Sequence, residues 1–304
     1  MKRIAVFVFV GLLLVGALSV GAQGLSDGEK EAVADVGAAF EAFLELETYT
    51  SVIEQTITQN ITMEMGQQTV KLSNIISQSG TSVIQNLEDG FNMEGKLEQL
   101  VSQDMGAGAQ DMGWTLDLVI VDGVLYGRVD NATGLFATIA PEGWVNVNED
   151  GAASPIFASI NAQMLQQTYG LSYPMNEETV TSITKLDTEE LDGQVMRVFD
   201  VDYDINVLLE SGLFDATLGS MNAQPGMTQQ DMRDLVTQMM EGADFQLKVW
   251  IGQDDGLVHR FESTLLVDST VTIQGMTLPL VMDVVSSVSF SGFNEPVEIT
   301  APEM

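Results

Sequence analysis

Cysteine is absent from the chain. No disulfide can staple the fold and no thiolate can act as nucleophile or metal ligand, so stability must come from a buried core. Histidine occurs once, at His259, which excludes a metal site built from several imidazoles. Basic residues are scarce: 11 Lys and Arg stand against 44 Asp and Glu, a formal net charge of −33. Nucleic acid and anionic membrane surfaces both need basic partners, so neither fits this chain. Charged residues make up only 18% of the sequence, which reads as an acidic surface that favours solubility and suppresses nonspecific association. No Gly-x-Ser-x-Gly, no phosphate-cradling glycine loop and no metal-type histidine spacing occurs. A repeat of the solenoid or propeller kind is also missing.

Long apolar runs are confined to the start. Met1-Lys2-Arg3 is a short basic segment, Ile4 to Leu18 is apolar, and Val20-Gly21-Ala22 supplies small residues. That order predicts a signal peptide over 1–22, cut after Ala22, and one exported domain over 23–304. The expected location is the periplasm, the cell exterior or the cell surface.

Beyond it, Ser26-Asp27-Gly28-Glu29 has the form of a capping box, and Val33, Val36, Phe40, Phe43 and Leu44 recur at helical spacing, predicting a helix over 27–47. From Tyr49 the period changes to two and β-branched residues dominate. Strands are expected to 63, over 70–78 and over 81–87, with a flexible loop over 103–113. A hairpin follows around Asp122-Gly123, then strand-like pieces over 136–139 and 143–147. Ser154-Pro155 opens a helix with Phe157, Ile160, Met164 and Leu165 on one face. A further hairpin spans 179–203 and turns near Asp192-Gly193. Helices are expected over 205–221 and 228–241, joined through Gly219 to Gly226 as a movable cover. Three long strands, 244–251, 257–269 and 278–292, close the chain. The expected class is α+β: a curved antiparallel sheet, an unclosed half-barrel, wrapped around several helices.

Catalysis finds little support. His259 alternates with Leu257 and Phe261 along a strand, where a packed residue is the plainer reading than a general base. Asp200, Asp202 and Asp204 share one strand face and suit a hard cation such as Ca²⁺. The same residues also read as two solvated carboxylates and, at Asp204, a helix N-cap. No cofactor is implied. The clearest feature is an apolar wall: Phe245, Leu247 and Val249 alternate with polar neighbours on one late strand, and Met282 and Val284 do so on another. Met232, Leu235 and Met239 form a facing helical stripe, and flexible thioethers suit either core filling or a pocket for variable hydrophobic ligands. Those eight residues are the candidate binding set.

Two segments carry a family resemblance. Val249-Trp-Ile-Gly-Gln-Asp-Asp-Gly-Leu-Val-His-Arg-Phe261 is a strand, an Asp-Gly turn and a returning strand; Phe290-Ser-Gly-Phe-Asn-Glu-Pro-Val-Glu-Ile-Thr-Ala-Pro-Glu-Met304 runs out and ends extended. Together they resemble the end of the LppX/LprG-type lipid-carrier lipoproteins, relatives of the LolA/LolB fold. The resemblance implies a non-enzymatic monomer that binds a lipid or acylated lipoprotein in a cavity between sheet and helices. It also implies a LolA-like half-barrel. Members carry a lipidated Cys after the signal peptide, where this chain has Gln23-Gly24, so no such anchor is expected here. The alternative on the same fold is an envelope sensor that binds a partner protein, with the concavity filled by helices.

Overall fold

The computed structural model describes residues 25–65, 68–88, 90–104, 109–149, 157, 180–203, 229–240, 243–273 and 276–304. The predicted signal peptide, the helix over 205–221 with Asp204, and all of the helix opening at Ser154 except Phe157 lie outside them.

Helix α1 (Asp27–Leu44) starts at a reciprocal capping box. The Ser26 hydroxyl accepts from the Glu29 amide, and the Ser26 amide donates to the Glu29 carboxylate at 2.8 Å. That amide, and the Ser26 hydroxyl donating to the same carboxylate at 2.7 Å, hold the Glu29 carboxyl below its ordinary range. Val33, Val36, Phe40 and Phe43 form its buried face. The helix ends before the predicted 47 because the next residues are drawn into the sheet. The Glu47 amide donates to Asn294 Oδ1 at 2.8 Å, and the Thr48 hydroxyl donates to the Glu295 carbonyl at 2.7 Å.

Twelve strands follow: β1 (Thr48–Met65), β2 (Gln68–Leu87), β3 (Gly90–Asp104), β4 (Ala109–Val121), β5 (Val124–Asp130), β6 (Trp144–Asn146), β7 (Val180–Lys185), β8 (Glu189–Leu191), β9 (Gln194–Tyr203), β10 (Asp244–Gly252), β11 (Val258–Ile273) and β12 (Met276–Ser291). They form one antiparallel sheet in the order β6-β5-β4-β3-β2-β1-β12-β11-β10-β9-β7, with β8 attached to β9. The path is open, with β6 and β7 at its two ends. Besides α1, the described residues hold one other α-helix, α2 (Gln229–Met240).

This corrects the expected fold class. Of the described residues 63% are strand and 15% helix, with two α-helices among them, so they do not form an α+β arrangement of a sheet wrapped around several helices; the antiparallel, unclosed sheet is the architecture they build. The misreading came from polar strands. Residues 68–87 form one continuous strand where two were expected, because Gly80 sits in register opposite Ile53 and Leu97 and does not turn. The expected loop over 103–113 is strand at both ends: Asp104 pairs with Ala109, and Gln110 with Gln103. Ala, Gly, Gln and Asp there look like loop residues, but 103–104 are paired with both β2 and β4, and 109–113 with β3. Residues Gly134–Thr138 form a 3₁₀ turn, not a strand. The Asp-Gly turns stand as expected: Asp122 and Gly123 have φ of 52° and 76°, and Asp192 and Gly193 of 52° and 82°, the left-handed pair of a type I′ hairpin.

α1 closes one end of the sheet through an aromatic cluster. The Phe43 ring lies 4.7 Å from Tyr49, 4.6 Å from Phe290 and 6.2 Å from Phe293. Burial pushes the Tyr49 phenol well above its ordinary pKa. Arg197 on β9 donates to Asp35 and ties α1 to the sheet. A small second core lies on the opposite face, where Met196 and Val198 pack on Trp250. There Glu189 of β8 accepts from Lys248 Nζ at 2.9 Å and from Trp250 Nε1 at 2.8 Å.

Replacing Phe43 by Ala should cost about 3–5 kcal/mol in urea unfolding, since it removes a ring central to three aromatic contacts. Lys248 first, and the Trp250 indole second, hold the Glu189 carboxyl below its ordinary 4.5. Its stabilising contribution is therefore full above that value and lost as pH falls through the lower folded value. Glu189→Gln should lower the melting temperature at neutral pH, with the difference from wild type shrinking below pH 4.5.

Candidate functional site

Strand register sorts the residues onto two faces. Inner positions of β1 run Ile53, Gln55, Ile57, Gln59, Ile61, and their partners on β12 and β2 are inner as well. The inner face thus reads as rows crossing the strands. One row is polar from β11 to β3, Ser263, Ser286, Gln55, Gln78 and Gln99, and ends at Trp114 on β4. The next is apolar: Leu265, Val284, Ile57, Ile76, Val101 and Met112. The third is mixed, with Val267 and Met282 beside Gln59, Asn74 and Gln103. From the Ile53 row to the Ile61 row, no inner position on β11, β12, β1, β2, β3 or β4 holds Asp, Glu, Lys or Arg. In a chain of net charge −33 this is a complete sorting of charge to the outside.

The apolar row is unevenly covered. Ile57 is 2% and Ile76 9% exposed, whereas Leu265 and Val284 on one flank and Val101 and Met112 on the other are half-buried. Water therefore reaches an apolar inner wall at both flanks. α2 packs against β11 on one side, with Met240 buried and Leu235 half-buried.

Of the predicted binding set, Phe245, Leu247 and Val249 on β10 are 4%, 0% and 0% exposed and belong to the main core. Met282 is buried in the mixed row and Val284 is half-buried in the apolar row. Register brings those five onto one face. Leu235 lies on α2, as do Met232 and Met239, whose side chains fall outside the described set. Sequence reasoning missed the polar rows, although the alternation Ile-Glu-Gln-Thr-Ile-Thr-Gln over 53–59 held the signal: every second inner residue is an amide.

The outer face carries a groove of about 620 Å³ across β12, β1, β2, β3 and β4. Glu54, Ser79 and Glu98 line one bank, and Thr56, Ser77 and Leu100 the other. Its carboxylates are solvated, and Glu98 has Lys96 at 3.6 Å.

His259 has a structural job. Its Nε2 lies 2.8 Å from Asp255 Oδ2, and its ring meets Phe293 edge-on at 4.9 Å. Asp255 Oδ1 also accepts from the Leu257 amide at 3.0 Å, so the pair sets the β10–β11 turn against the C-terminal segment. Asp200 opposes Lys248 across the ladder, and Asp202 accepts from the Ser182 hydroxyl at 2.5 Å. Among the described residues no cluster of three or more His, Asp or Glu is arranged to hold a metal. Nor, among them, is any helix long and apolar enough to cross a membrane.

No family model and no curated protein matches the chain. Among solved structures it is similar to the lipoprotein LppX of Mycobacterium tuberculosis, at 12% identity over 90% of this chain and 100% of that one, with a TM-score of 0.36. It is similar to LprF from Mycobacterium bovis at 13% identity over 90% and 97%, with a TM-score of 0.39. A DUF1329 family protein from Desulfovibrio piger aligns at 9% identity over 90% and 95%, with a TM-score of 0.24. Identities and TM-scores this low transfer neither a ligand nor the role of any residue.

The two faces can be told apart by neighbouring substitutions. Val285→Asp, on the 48% exposed outer side, should change stability by about 0.5 kcal/mol or less. Val284→Asp, one residue away on the inner wall, should cost about 2 kcal/mol or more by urea unfolding, because it places an unpaired carboxylate on an apolar surface.

Proposed function

We propose that this chain is an exported, non-enzymatic binding protein that holds the acyl chains of a lipid or acylated protein against the inner face of its sheet. One observation carries the reading: an uncharged, largely apolar wall, wide enough to span several strands, stays reachable by water at Leu265, Val284, Val101 and Met112. Neighbouring strands lie about 4.8 Å apart, so the wall from β11 to β4 measures about 24 Å across. An alkyl chain laid on it gains about 0.8 kcal/mol for each methylene removed from water. A chain of about 16 carbons supplies roughly 10 kcal/mol before ordering costs, and no catalytic group is needed.

The binding stretch is the run of rows beyond the α1 plug, from Ser263 and Gln55 towards Leu280 and Ile61. Phe245, Leu247 and Val249 back it as core, while Met282 and Val284 contact the ligand and α2, through Leu235, covers it. The acidic outer surface keeps the loaded protein soluble and off anionic bilayers. A second reading, a partner-binding module with its concavity filled by helices, draws on the complete burial of Leu247 and Val249.

Native mass spectrometry of gently purified protein should show adducts of lipid mass, and an uncharged fluorescent alkyl probe should bind with saturation. Val284→Trp, which fills the half-buried flank, should weaken probe binding at least about tenfold while the circular dichroism stays native. Protein that carries no lipid and ignores the probe would favour the partner-binding module.

A further inference from the structure

The polar rows sit poorly with a plain alkyl ligand, and they point to its chemistry. Asn74 is 1% exposed. Its Nδ2 donates to Gln59 Oε1 at 3.4 Å, but its Oδ1 has no hydrogen-bond partner. One row further on the same face, opposite Leu280, Ser269 Oγ is also buried and unpartnered. A buried carbonyl without a donor is destabilising, and a leucine at position 74 would remove that cost without disturbing the ladder, whose backbone bonds do not depend on the side chain. The amide is thus a poor choice for packing and a good one for receiving a donor.

We infer that Asn74, with Gln59 beside it, forms a subsite for an uncharged hydrogen-bond donor, a hydroxyl or amide N–H, carried by the acyl-bearing ligand. The inference rests on the acyl-binding reading and narrows it. One Asn74 N–H is used on Gln59 and a second remains, but the atom left with no partner at all is the carbonyl Oδ1, and an ester carbonyl or ether oxygen alone does not complete it. An anionic headgroup fits no better, because the rows from Ile53 to Ile61 hold no Lys or Arg to pair with it. Gln55, about 14 Å away along β1 with the Ile57 row between, gives a second polar step for a ligand whose hydroxyl or amide groups are spaced along its length.

The test compares ligands with one alkyl chain and different heads, each displacing an uncharged fluorescent alkyl probe from the full-length protein: 1-monolaurin, methyl laurate and laurate. Monolaurin should bind about tenfold tighter than methyl laurate, the effect of one completed buried hydrogen bond. Asn74→Leu should erase that preference by weakening monolaurin alone, with an unchanged or raised melting temperature. Equal binding of monolaurin and methyl laurate by the wild type would overturn the donor subsite and leave acyl binding standing. Tightest binding of the laurate anion would overturn it too. Binding of none of the three would remove the acyl-binding reading together with the subsite. The wild-type comparison decides the matter even if the variant fails to fold.

Discussion

The fold depends on one seam, the pairing of β1 with β12. Twelve consecutive pairs, from Thr50 with Ser291 to Ile61 with Leu280, join the first strand of the chain to the last. Without it the meander β1 to β6 and the returning strands β9 to β12 would be two sheets, each with a long exposed edge. The α1 plug reinforces the same junction, because Phe43 touches Tyr49 of β1 and Phe290 of β12 together. So does the C-terminal turn, where Asn294 and Glu295 receive the backbone and side chain of Glu47 and Thr48. Contacts this distant along the chain make folding slow relative to a helical protein of equal size.

Register at the seam also decides which chemistry faces inward. Side chains alternate strictly along each strand, so a one-residue slip of β1 would bring Glu54 inside and turn Ile53 out, and one of β12 would do the same with Asp283 and Val284. The uncharged inner face and the acidic outer face are two sides of one alignment. Burying an unpaired carboxylate is costly, and that cost selects the observed register over its neighbours. The acidity of the sequence thus contributes to specificity of fold as well as to solubility.

The proposed function draws on what that sorting leaves behind. The β10 side of the inner face is packed into dry core, while the rows crossing β11 to β4 keep half-buried apolar flanks and unsatisfied amide and hydroxyl groups. His259, the one residue a search for a catalytic base would choose, is occupied with Asp255 and Phe293.

Much of this was legible from residues alone. The capping box of α1, the Asp-Gly hairpins and the three closing strands each have a local physical signature and each has its expected place; alternation also set Phe245, Leu247, Val249, Met282 and Val284 on one face, with the three of β10 inside the main core. The extent of the polar strands was not legible: 68–87 was expected as two strands, and 90–104 as none. Residues 68–87 and 90–104 are rich in Ser, Gln and Gly, and such a strand is recognised only when neighbours on both sides supply its ladder. The inner role of Gln55, Gln59 and Asn74 was hidden for the same reason: a polar residue alternating with isoleucine reads as solvent-facing until cross-strand register shows which neighbours share its side. Local sequence set the turns, the cap and the parity of each strand, because those depend on a few adjacent dihedrals and on alternation. Which parity faces inward was decided by the pairing of β1 with β12, a contact between residues more than two hundred positions apart that no local pattern encodes.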